Sequence, residues 1–124
     1  MSIAVQPLLT EKARRFGADE TAPQFQQILL DSLNYVLDDL ENDIGVSTTR
    51  LTSVSGADID LDEQLYRGVI SLGLDSYITD TGEWTQGNAP GIEAKYERKR
   101  RMVKRQYQRS LDLKPKFGTW ADDD

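Results

Sequence analysis

Cysteine and histidine are both absent from the 124 residues. Without cysteine, disulfides and thiolate metal sites are excluded, and no redox-dependent compartment is indicated. Without histidine, the commonest zinc ligand and the usual general base are missing. Long apolar runs are absent too: the longest are three residues, such as Ile28-Leu29-Leu30, far short of the ~20 needed to span a bilayer. The opening Met-Ser-Ile-Ala-Val-Gln-Pro has neither a charged n-region nor an apolar h-region, so no secretory signal is expected there. No glycine-rich phosphate loop occurs, because Gly87-Asn88-Ala89-Pro90-Gly91 lacks the Lys and Ser/Thr of a P-loop. Together these point to one soluble, intracellular domain with a modest core, no cofactor and no enzyme activity.

Charge is what the chain does have, and it is segregated. Residues 1–90 hold 15 acidic and 5 basic side chains, whereas residues 91–116 hold 10 basic and 3 acidic. The closing Asp122-Asp123-Asp124 brings the net charge to −6. Such a dipolar chain calls for a polyanion, an acidic protein partner or copies of itself to complement its basic segment.

Hydrophobic periodicity predicts helices throughout. A first helix is expected from Pro7 to Phe16, stopping at Gly17. Thr21-Ala22-Pro23 gives a cap-and-proline start for a second helix. Its apolar positions Phe25, Leu29, Leu33, Val36, Leu37, Leu40 and Ile44 form one stripe, with Asp31, Asn34, Asp38 and Glu41 outside it. Between Val46 and Ile59 the composition turns to Ser, Thr and Gly, and a short β-hairpin is expected near residues 47–59, with Leu51 to Val54 as one arm. Asp60-x-x-Glu63 reads as a capping box opening a third helix, in which Gly68 and Gly73 suggest close helix packing. A fourth helix is expected from Ile92 to Leu111, with Ile92, Tyr96, Val103, Tyr107 and Leu111 on its apolar face. Arg98, Arg101, Lys104, Arg105 and Arg109 fan across its other side. Residues 114–124 read as an extended tail. The expected fold is a mainly α bundle of three to four helices over 1–113.

Several motifs weigh less than they look. Asp58-x-Asp60-x-Asp62 opens like a calcium loop, but Glu63 stands where the turn needs Gly and Val69 where a bidentate Glu is required; no metal site is expected. Asp38, Asp39, Glu41 and Asp43 read as a solvated helix face rather than paired catalytic carboxylates. The basic helix fits phosphate neutralisation, which makes a small nucleic-acid-binding regulator using residues 92–111 the alternative function. Against it, Tyr96 and Tyr107 share the apolar stripe with Val103, and that favours core packing over base stacking. Phe117 and Trp120 are residue types that anchor in a partner's pocket.

The block Ile59-Asp60-Leu61-Asp62-Glu63-Gln64-Leu65-Tyr66, running on through Gly73 to Gly82-Glu83-Trp84, follows a helix of the type L-N-Y-V-L-D-D-L and precedes Y-E-R-K-R-R-M-V-K-R-Q-Y. Over residues 25–110 this order resembles the head-to-tail adaptor (connector) proteins of tailed bacteriophages. The resemblance implies a structural virion protein: a homo-oligomeric ring of about twelve copies in the neck, beneath the portal protein, joining the capsid vertex to a tail or nozzle protein. Genomic DNA would pass through the ring without sequence-specific binding, no membrane would be involved, and the protein would reside in the host cytoplasm until assembly. Carried over by position, residues 114–124 become a portal-docking tail, with Lys114, Lys116, Phe117 and Trp120 as contacts. Arg98, Arg101, Lys104, Arg105 and Arg109 become subunit or portal contacts.

Overall fold

A computed structural model describes residues 2–81 and 89–123, with side chains for 2–81 and 90–109. The element order is β1 (Ile3–Ala4), α1 (Val5–Phe16), α2 (Pro23–Asp43), β2 (Asp58–Ile59), α3 (Glu63–Asp80) and α4 (Ala89–Asp123). The fold is the expected mainly helical bundle with a short two-stranded antiparallel pairing.

Helix ends follow their local chemistry. Pro7 sits in the first turn of α1, where its missing N–H has no intrahelical acceptor to lose. Gly17 ends the helix at φ +68°, a left-handed conformation that favours glycine, and Ala18 N–H reaches back to Ala13 C=O at 2.8 Å. Pro23 opens α2 at its first helical position, as expected, but the expected Thr21 cap does not form: the N-cap is Ala22 without a side-chain bond, and the Thr21 hydroxyl donates to Asp19 Oδ1 at 2.8 Å instead.

The strand pairing differs from the expected local hairpin. β2 pairs antiparallel with β1, in register Ile3–Ile59 and Ala4–Asp58, and Val5 N–H continues it onto Ala57 C=O at 3.0 Å. Leu51, expected in a strand arm, is held instead by the buried Asn34 of α2. The Asn34 amide donates to Leu51 C=O at 2.9 Å and accepts Leu51 N–H at 2.8 Å. One side chain thus supplies both bonds that a neighbouring strand would have made.

The α3 start also moves. Its N-cap is Asp62, with no side-chain capping bond, so the Asp60-x-x-Glu63 box does not form. Pairing with β1 keeps the backbone extended through Ile59, and the turn that follows, Leu61 N–H to Ile59 C=O at 2.9 Å, delays the helix to Glu63.

α4 is continuous through Asp123, so residues 114–123 are helical backbone rather than an extended tail. Propagation from an established helix adds a bond per residue fixed. Pro115 withholds the bond that the Leu111 carbonyl would otherwise receive.

The core runs through all four helices: Leu8 and Leu9 from α1, Leu29, Leu33, Val36 and Leu40 from α2, Val69, Ile70, Leu74 and Ile78 from α3, Tyr96 and Val103 from α4. α3 packs on both α2 and α4, and α1 closes one side. No helix among the described residues is long and apolar enough to cross a membrane.

Candidate functional site

At 100° per residue, α4 presents three sectors. Tyr96, Val103 and Tyr107 face the bundle; Tyr96 and Val103 are buried and Tyr107 half-buried. Glu93 and Glu97 lie about 60° and 100° to one side of Tyr96, while Lys99 and Lys95 lie about 60° and 100° to the other. Arg98, Arg101, Arg105 and Arg109 occupy the outward arc between.

The acidic side is built on Asp39. Its Oδ2 accepts Tyr77 O–H at 2.6 Å, Tyr96 O–H at 2.8 Å and Arg100 Nη1–H at 3.1 Å. Arg100 also lies over the Tyr96 ring, 4.6 Å from its centroid. Its Nε pairs with Asp43 Oδ2 at 3.4 Å, and Lys104 Nζ is 3.6 Å from Asp43 Oδ1. Tyr77 stands edge-on to Tyr96 at 6.2 Å and tilted against Tyr35 at 5.3 Å. Four charged residues of α2 and α4 are therefore spent on each other. Two adjoining depressions share Asp80 and Tyr77: one is lined by Asp31 and Tyr35, the other by Glu93 and Glu97. Asp80, Glu93 and Glu97 are exposed and form no ion pair with any described residue.

On the opposite flank, Lys95, Arg98, Arg101 and Arg105 line a groove whose apolar floor is Leu72 and Met102. Arg98, Arg101, Arg105 and Arg109 are exposed, and none pairs with an acid among the described residues. Of the sequence-expected contact residues, Lys104 is thus turned inward to Asp43, while these four arginines face out. Lys114, Lys116, Phe117 and Trp120 belong to α4, but their side chains lie outside the described residues.

The solvated-face reading of residues 38–43 is corrected at Asp39, which is half-buried and accepts three charged or hydroxyl donors. A signal was present: Tyr96 on an apolar stripe must bury a hydroxyl, and buried tyrosine hydroxyls find acceptors. A second polar cluster was not visible at all. Lys12 of α1, 1% exposed, pairs with buried Asp75 of α3 at 2.8 Å and donates to Ser71 Oγ at 2.7 Å. Arg15 Nε reaches the same Asp75 oxygen at 3.3 Å. Among the described residues no group of three or more His, Cys, Asp or Glu side chains is arranged to hold a metal ion.

The hub has a pH consequence. Burial, with help from Asp39, raises Tyr77 and Tyr96 far above the ordinary tyrosine value. The unfolded chain releases both protons near pH 10 while the folded chain keeps them. Their contribution to stability is therefore complete below pH 10 and lost as pH rises beyond it, by up to about 1.4 kcal/mol per pH unit for each tyrosine. Between about pH 6 and 9 a chain without histidine or cysteine should be insensitive to pH. Urea midpoints measured from pH 6 to 11.5 should stay level and then fall, and Tyr77→Phe should flatten the fall. Equal alkaline slopes for the two proteins would refute the hub's role.

No known protein family, curated protein sequence or solved structure matches the chain.

Proposed function

We propose that the chain is a structural assembly protein of the head-to-tail adaptor kind, forming a ring that joins a phage capsid portal to a tail. The observation that carries the reading is the exposed arginine arc of α4 (Arg98, Arg101, Arg105, Arg109), unneutralised by described residues, on a body that is otherwise strongly acidic. A protein complementary to itself or to a flat partner needs such separated faces, which set register and speed encounter. Tyr96 supports protein contact over nucleic-acid contact: its ring is buried and its hydroxyl engaged by Asp39, so it is not free to stack on bases.

Removal of residues 114–124 is expected to abolish binding to the portal protein while leaving residues 1–113 folded, as judged by circular dichroism and a pull-down with portal. A truncated protein that docks normally would remove the tail from the interface. Mass spectrometry of purified virions tests the reading as a whole, because an adaptor remains in the particle. Should the chain instead bind duplex DNA with an affinity falling steeply with salt, and be missing from particles, the regulator reading replaces this one.

A further inference from the structure

Glu93 and Glu97 flank α4 on one side, next to Tyr35 of α2 and Asp80 of α3, and Lys95 and Lys99 flank it on the other, with the arginine arc between. Only two large hydrophobic side chains among the described residues are exposed, Tyr35 at 53% and Met102 at 40%. They are distributed one to each flank. Tyr35 lines the depression with Asp31 and Asp80, which adjoins the one lined by Glu93 and Glu97, and Met102 lies on the floor of the basic groove. Each flank therefore has the anatomy of half an interface, an apolar anchor within a rim of one charge sign.

We infer that the partner of the basic groove is the Tyr35–Asp80–Glu93–Glu97 flank of a second copy of this chain, in a heterologous contact that repeats from copy to copy. The identification rests on the assembly function proposed above and adds which two faces meet. Like flanks repel, so a two-fold contact of either face with itself is disfavoured. Opposite flanks attract, and because they lie on different sides of α4 each copy keeps one free flank for the next. Asp39 and Asp43 take no part, since Arg100 and Lys104 already neutralise them.

Zero-length carbodiimide coupling of a 1:1 mixture of 14N- and 15N-labelled protein at low salt reads this contact. Lys95 or Lys99 of one isotope should join to Asp80, Glu93 or Glu97 of the other, with yield falling about tenfold in high salt. Two triple variants extend the test at exposed positions only. Arg98→Glu with Arg101→Glu and Arg105→Glu makes both flanks acidic, and Asp80→Lys with Glu93→Lys and Glu97→Lys makes both basic. Each alone should stay monomeric with an unchanged circular dichroism spectrum, and an equimolar mixture of the two should associate. Absence of mixed-isotope links in the wild type, links between like flanks, or a mixture that stays monomeric would each overturn the contact. Absence of the chain from virions with the links intact would sink the adaptor reading and leave the contact standing.

Discussion

Asp75→Ala is expected to cost about 3–5 kcal/mol, the usual penalty for stripping the partner from a buried charge. Lys12 is 1% exposed and Asp75 5% exposed, so neither side chain can turn to water without opening the α1–α3 contact. Arg15 is half-exposed and can return to solvent when Asp75 is lost. Lys12 cannot, and would keep only the Ser71 hydroxyl and half-exposed Glu11, 3.8 Å away. Replacing both ends with apolar groups of similar volume, Lys12→Met with Asp75→Leu, should recover most of the loss, because the desolvation cost disappears with the charges. Urea denaturation of the two variants separates the terms. A loss below about 1 kcal/mol for Asp75→Ala would show that the pair is not buried in solution.

Gly73→Ala is expected to destabilise by about 1–3 kcal/mol, the usual range for overpacking, against a helix-propensity gain of about 1 kcal/mol. A Cβ there would stand 2.6 Å from Val36 Cγ2 and 2.8 and 2.9 Å from Tyr96 ring atoms. Neither neighbour yields readily. Val36 is β-branched in a helix, with one strongly favoured rotamer, and the Tyr96 ring is tied through its hydroxyl to Asp39. Gly68 supplies the control on the same helix. Its added Cβ would meet only the flexible Lys99 chain, with Cε at 3.2 Å, so Gly68→Ala should be neutral or stabilising by up to about 1 kcal/mol. The Gly73→Ala melt should fall while the Gly68→Ala melt stays level or rises, and a comparable fall in both would contradict the packing described.

The helices were legible because their signals are local. The Phe25–Leu40 stripe, Gly17 after Phe16 and Pro23 at the start of α2 each act within a turn of where they stand. Gly73 was legible as a close-contact residue, though the sequence did not separate it from Gly68, whose neighbour is merely a lysine chain. What escaped depends on partners far along the chain. Leu51 looks like a strand residue because it needs ladder bonds, and nothing local says that Asn34 supplies them. β2 finds its partner 54 to 56 positions away. Lys12 reads as a surface lysine until Asp75 is brought to it. At the site, the α4 arginine arc was legible from period alone. Asp39 was not, because its role is set by two tyrosines and an arginine from α3 and α4.

The opposed flanks of α4 also bear on closure. In the contact inferred above, Glu93 and Glu97 are centred about 140–150° from the Lys95–Met102–Arg98 groove around α4, so each copy would turn by about 30–40° relative to the copy before it. A trimer or tetramer would need turns of about 120° or 90° per subunit, which this separation does not provide. The proposed ring of about twelve would need about 30° per subunit, close to that turn. The same geometry with no net turn gives an open filament. If the proposed contact forms, the angle between two grooves on one helix would set how many copies close the circle.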